Sequence, residues 1–183
     1  MMERYLIEHC APTLASLKTA SLFTIELSCD MDFERMILYY NESFAPKGIE
    51  FFVMRKRDNK ALIYVYRRSS LIQDLTSSAI KLFLDERGYK GLDLESALQK
   101  LSSRINEDDN FPHEIGVFLG YPLHDVMGFI NSGGRNCKYI GCWKVYGDKC
   151  EAVKTFARFN KCKDIYKRLW EQGRSVLQLT VSA

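Results

Sequence analysis

A cysteine at position 10 follows His9 and stands two residues before a proline in the opening His9-Cys-Ala-Pro-Thr-Leu14, with Lys18 close behind it. A thiol beside a helix-breaking proline and an ammonium is in a setting that favours thiolate, the form that attacks electrophilic carbon or holds a metal. His9 is a poor base for it, because adjacent side chains on a helix or strand point apart. The remaining histidines are His113 and His124. Cys10 as nucleophile and His113 as base, with Glu114 orienting the imidazole or acting alone, is the one such constellation the sequence assembles. Its plainer alternative puts Cys10 in the core and His113 at a helix start, since nothing in the sequence brings the two together.

Two other stretches carry side chains suited to binding. The segment from Phe111 to Ile130 has a helix-glycine-helix pattern, with Ile115, Leu119, Tyr121, Val126 and Phe129 as its buried set and Gly116 at the crossing. As a DNA reader it fails on its outward positions, Leu123, His124, Met127 and Gly128, none of which recognises base edges well. A helical corner presenting His113 and Glu114 to a cleft is the better reading. Further on, Trp143, Lys144 and Tyr146 lie on a run that reads as a strand, with Trp143 and Val145 on one side and Lys144 and Tyr146 on the other, a ligand face or, as aromatics on opposite sides more often are, ordinary sheet packing. Lys18, Tyr121 and Lys144 are thus the candidate ligand-binding residues.

The familiar cofactor loops are missing. Neither G-x-G-x-x-G nor G-x-x-x-x-G-K-[ST] occurs, and neither H-E-x-x-H nor G-x-S-x-G. Cys137 and Cys142 form one loose pair, and Cys150 and Cys162 are separated by eleven intervening residues, so the two tight pairs of a zinc ribbon are lacking and no metal ligands are assigned. No motif names a cofactor or an oligomeric state.

These side chains must be held by a chain of 183 residues, enough for one ordinary domain. With 46% hydrophobic and 27% charged residues, disordered and fibrous classes are excluded. No apolar run nears the roughly 20 residues of a membrane-spanning helix, so no membrane partner is expected. Six dispersed cysteines and an opening with acids where a secretory leader needs bases point to a cytoplasmic protein with free thiols. A net charge of +3 is too mild to demand an anionic partner, but between Arg135 and Arg174 eleven basic residues face four acidic ones. Lys154, Arg158, Lys161, Lys163, Lys167 and Arg168 fall on one long expected helix, which reads first as a solvated face.

The expected elements run as follows. A helix over 2–9 is broken by Pro12, and a strand covers Ser21 to Leu27. A helix capped by Asp30 ends near Phe44. A hairpin joins Ile49–Arg55 to Ala61–Arg67 through Asp58-Asn59. A helix from Ser70 to Arg87 stops at Gly88, and another after Asp93 buries Leu94, Ala97, Leu98, Leu101 and Ile105. Two short helices meet at Gly120-Tyr121-Pro122. A strand over Tyr139–Tyr146 precedes a helix from an Asp148–Glu151 capping box to about Gln172, and a final strand covers Val176 to Val181. The class is α+β: an antiparallel-leaning mixed sheet of about five strands covered by helices, opening like a ferredoxin-like plan, with a helical insertion over roughly 92–134 and residues 1–183 forming a single domain.

Cys10-Ala-Pro-Thr-Leu-Ala15 with Lys18, the Phe111–Ile130 segment with its Pro-His-Glu-Ile-Gly and Leu-Gly-Tyr-Pro strings, and Gly141-Cys-Trp-Lys-Val-Tyr146 together resemble a bacterial family catalogued as domain of unknown function 3793. The resemblance covers nearly the whole chain and implies a small stand-alone cytoplasmic bacterial protein; it brings no assigned activity or catalytic residues. The leading functional reading is a cytoplasmic protein that binds a small ligand or a metal. The alternatives are a thiol enzyme built on Cys10 and His113, and an interaction or nucleic-acid module using the basic C-terminal helix, with nucleic acid disfavoured.

Overall fold

The computed structural model describes residues 2–28, 32–107 and 111–182. Its centre is a three-stranded antiparallel sheet of β1 (Ala20–Glu26), β2 (Ile49–Arg57) and β3 (Lys60–Arg67), in the order β1-β3-β2. The β2–β3 turn uses Asp58 and Asn59, both with left-handed backbone (φ 51° and 57°), the geometry a two-residue hairpin demands. β1 and β2 both run against β3 and hence parallel to each other, with α3 (Phe33–Phe44) as the crossover between them. This split β-α-β unit matches the expected ferredoxin-like opening through its three strands, but the likeness stops there: the crossover helix (Phe33, Phe44) packs on one sheet face and the next helical segment (Leu71, Phe83) on the other. Asp30, the expected helix cap, lies outside the described residues; Asp32 accepts the capping bond from the Arg35 amide at 3.1 Å.

Side chains alternate across the sheet with the period of two that a strand imposes. On one face Phe23, Ile25, Phe51, Ile63 and Val65 meet the N-terminal helices, α3 and the C-terminal helices. On the other, Met54, Leu62, Tyr64 and Tyr66 meet the helices between β3 and residue 131. β3, central in the sheet, is buried on both faces.

The opening helix does not break at Pro12. It runs through α1 (Met2–Tyr5), a wide π-helical turn (Leu6–Cys10) and α2 (Ala11–Leu14), so the proline enters at the first turn of a new segment, where its missing N–H costs little. The buried guanidinium of Arg67, 1% exposed, ties this helix to the rest: Nε donates to the Thr13 carbonyl, and Nη2 to the carbonyls of Leu14 and Val181, each at 2.7 Å.

Beyond β3 come α4 (Arg68–Thr76) and α5 (Ser78–Leu84), parted at Ser77 by an extended backbone (ψ 136°) where the sequence reads as one helix. Gly88 ends the following π-turn with φ 82°. α6 (Leu94–Glu107) buries Ala97, Leu98, Leu101 and Ile105, the expected stripe. α7 (Ile115–Phe118) and α8 (Leu123–Asn131) follow, then α9 (Lys149–Glu171). The cap of α9 is half of the expected capping box: Asp148 accepts from the amides of Cys150 and Glu151, while the Glu151 carboxylate pairs with Lys154 instead.

Two expected strands are corrected. Tyr139–Tyr146 is not one strand but β4 (Tyr139–Ile140) and β5 (Lys144–Val145), which pair with each other across Gly141–Trp143. Val176–Val181 is a helical turn, α10 (Val176–Leu179): Val176, Leu179 and Thr180 are buried while Leu177 and Val181 are exposed, an i, i+3, i+4 pattern. Its Ser175–Gln178 capping box is complete, which satisfies the amides that would otherwise pair in a strand. The five strands therefore divide into sheets of three and two, and every pairing is antiparallel rather than mixed.

Candidate functional site

The α7–α8 corner is built to be crossed closely. A Cβ on Gly116 would stand 2.7 Å from Val126, so only glycine lets the two helices meet there. Gly120 adopts φ 73°, and a Cβ on it would fall 2.7 Å from the Thr19 hydroxyl oxygen. That contact seats the loop after α2 against the corner, with the Thr19 hydroxyl donating to Asp74 on α4 at 2.5 Å.

The β4–β5 hairpin closes the other side. Its organiser is Asp125, a carboxylate 3% exposed in the first turn of α8. One oxygen accepts from the Trp143 indole N–H at 2.7 Å; the other accepts from the backbone amides of Tyr146 and Gly147 at 2.7 and 2.8 Å. Trp143 is thereby locked against Tyr121 (rings stacked, centroids 5.0 Å apart) and edge-on to Phe156 of α9 at 4.5 Å.

Two hollows flank this wall, and Trp143 and Asp125 line both. The first, about 270 Å³, is bounded mainly by apolar groups of Phe111, His113, Ile115, Tyr121, Phe129 and Trp143. The His113 ring meets Phe129 edge-on at 5.1 Å. Lys144 donates to the Gly134 carbonyl at 2.8 Å while its ammonium lies 5.6 Å from the Phe129 ring centre. The second is a polar cleft of about 430 Å³ whose walls include Lys18, Thr19, Asp74, His124 and Glu151. The Lys18 ammonium lies 5.2 Å from the Tyr121 ring centre, and among the described residues it has no hydrogen-bonding or carboxylate partner. Burial lowers it from the usual 10.5 to about 8, only partly offset by the neighbouring Cys10 and Cys142 thiols.

Of the residues singled out from sequence, the fold brings His113, Tyr121 and Lys144 to one hollow and sets Lys18 against Tyr121 from the other. The loop that follows the opening helix does meet the central corner. Cys10 and His113, however, are not joined. Cys10 is fully buried in the core beneath the other sheet face, and burial pushes its thiol up to about 12, the reverse of nucleophile activation. Glu114 also turns inward: 3% exposed, it pairs with Arg104 at 2.8 Å and accepts from the Tyr89 hydroxyl at 3.2 Å, which fastens α6 to the start of α7. Trp143 and Lys144 both reach the first hollow because the chain turns at Trp143 instead of running on as a strand. Asp125, which organises the wall between the hollows, is not marked in the sequence: an acid in a first helical turn reads as a complement to the helix dipole, and nothing local announces three N–H donors from a hairpin about twenty residues on. Among the described residues, no group of three or more His, Cys, Asp or Glu side chains is placed to hold a metal ion, and no helix is long and apolar enough to cross a membrane.

Fold and site together define an α+β protein in which a helical corner and a small hairpin line an open aromatic hollow. The chain belongs to the family described as Protein of unknown function (DUF3793), whose family model matches residues 6–180. No curated protein and no solved structure matches it.

Proposed function

We propose that the protein binds a small, flat, mostly apolar molecule in the hollow between α7, α8 and the β4–β5 hairpin. The observation that carries this reading is the hollow itself: about 270 Å³, walled by Phe111, Tyr121, Phe129 and Trp143, with the polar groups of His113 and Lys144 at its margin. Aromatic walls with a few convergent polar groups are the composition of ligand pockets. The Lys144 ammonium favours a ligand bearing a carboxylate or another acceptor, and the rings of Phe111, Tyr121, Phe129 and Trp143 offer faces and edges on which a flat ring packs. Of the small-ligand and metal alternatives the organic ligand is the one taken. The thiol-enzyme reading loses its support with Cys10 sealed and protonated. The basic outer face of α9 is taken as a solvated helix face. The five described cysteines are free thiols, which supports a reducing, cytoplasmic setting, and the chain is taken to act as one α+β unit.

Calorimetric titration with 2-naphthoate, a flat aromatic carboxylate, tests the reading. Saturable one-to-one binding is expected, weakened by Lys144→Met, which removes the ammonium, and abolished by Ile115→Phe, which puts a ring into the hollow. Binding that both variants leave unchanged would place the ligand elsewhere and overturn the proposal.

A further inference from the structure

The polar cleft on the opposite side of Tyr121 holds a different chemistry. We propose that Lys18 is a nucleophilic amine that captures the carbonyl carbon of a small hydroxyaldehyde or hydroxyketone as an imine in this cleft. The inference stands on the placement of the amine. Its stem emerges from the loop that Gly120 clamps to the corner, and its nitrogen rests over the Tyr121 ring, facing a cleft of about 430 Å³. Surface lysines ordinarily lie in water or beside carboxylates, as Lys154 does beside Glu151 at 2.6 Å. Lys18 is half-buried and has no carboxylate partner among the described residues; the Tyr121 ring is the one group that answers its charge. Desolvation accordingly holds it near 8, where a substantial fraction carries a free lone pair at neutral to mildly alkaline pH.

The rest of the cleft selects the carbonyl compound. The oxygens of Asp74 and Glu151 not held by Thr19 and Lys154, with the Gln73 amide, present acceptors, whereas among the described residues no guanidinium lines the cleft to favour a phosphate. Acceptors of this kind take hydroxyl groups. The chemistry balances without an oxidant or reductant: the amine lone pair forms a C–N bond to the carbonyl carbon, the carbonyl oxygen takes up the amine proton to become a hydroxyl, and that hydroxyl leaves with a further proton as water. His124, also on the cleft wall, is a group able to carry those protons.

The test is reductive trapping of the whole chain with glyceraldehyde and cyanoborohydride at pH 7.5, followed by peptide mapping. Lys18 is expected to be trapped first, on the order of tenfold faster than the exposed Lys161 on α9, with a rate that saturates in glyceraldehyde. Lys18→Arg keeps the charge and should remove the fast site; the wild-type map decides even if that variant folds poorly. Trapping of Lys18 no faster than Lys161, or a rate strictly linear in glyceraldehyde, overturns the proposal. Naphthoate binding is a separate measurement in a separate hollow, so either proposal fails without the other.

Discussion

Replacing Lys18 by Met should stabilise the protein at neutral pH, although it deletes a polar side chain from a polar cleft. An ordinary lysine titrates at 10.5, and this one is held at about 8 by burial. At about 1.36 kcal/mol for each pH unit, the folded protein loses about 3 kcal/mol by keeping the ammonium charged. The Tyr121 ring 5.2 Å away returns about 1 kcal/mol, leaving a net gain of about 2 kcal/mol for a thioether that keeps the stem and drops the charge. The sign follows from proton counting. Below pH 8 both folded and unfolded chains are protonated at Lys18 and the penalty is complete. Between 8 and 10.5 the unfolded chain binds more protons, so wild-type stability rises with pH, and above 10.5 the penalty is gone. The groups that act on the ammonium are Cys10, Cys142 and Lys163. Cys10 runs the other way, its folded thiol near 12 against an ordinary 9.0, so its contribution is lost as pH climbs above 9. Working from pH 7 to 9 avoids most of that titration. Urea denaturation followed by tryptophan fluorescence should show Lys18→Met ahead at pH 7, with the lead shrinking by about 1 kcal/mol at pH 9. A variant less stable than wild type at pH 7, or a difference flat across that range, would refute the argument that the charge is desolvated without compensation.

Asp125→Asn puts an amide where either the indole N–H or two backbone N–H groups need an acceptor, and should cost about 2–4 kcal/mol in chemical denaturation while shifting Trp143 emission to the red. Arg67→Met strands the carbonyls of Thr13, Leu14 and Val181 and loses the longer 3.5 Å contact to that of Lys47, with an expected loss of about 3–5 kcal/mol in the same assay. Ser175→Ala removes the capping box of α10 and should lower stability by about 1 kcal/mol, with faster amide exchange confined to residues 176–180.

Elements whose signals are local were legible in the sequence. The β2–β3 hairpin was announced by Asp58-Asn59 between two β-rich runs, and both residues do take the left-handed conformation. α6 was announced by a stripe of five apolar residues at helical spacing, and four of them are buried. The misreadings share a cause: short apolar runs whose period only the surroundings decide. Val176–Thr180 satisfies both an alternating and an i, i+3, i+4 pattern over so few residues, and the balance tips on Ser175 and Gln178, polar residues that an eye tuned to hydrophobic period passes over. Tyr139–Tyr146 likewise holds enough aromatic and β-branched residues for one strand, yet Asp125 pulls the amides of Tyr146 and Gly147 toward α8 and the chain folds back at Gly141–Trp143.

The site was legible only where a residue's place is set by its own helix or turn. Tyr121 and His113 flank a corner whose glycine and proline mark it in the sequence, and the structure does put them around one hollow. The sequence marks Cys10 and Glu114 for reactive chemistry, but reactivity is a property of surroundings, and theirs come from distant segments: Ser21 and the sheet core around the thiol, Arg104 and Tyr89 around the carboxylate. For Lys18 the same logic runs in reverse. In sequence it was a positive charge placed near enough to activate Cys10. In the fold the thiol is sealed in the core and the amine half-buried on the cleft wall, and since desolvation always favours the neutral form, burial makes the acid weaker and the base less protonated. On the proposal made above, the amine and not the thiol is the nucleophile of the pair.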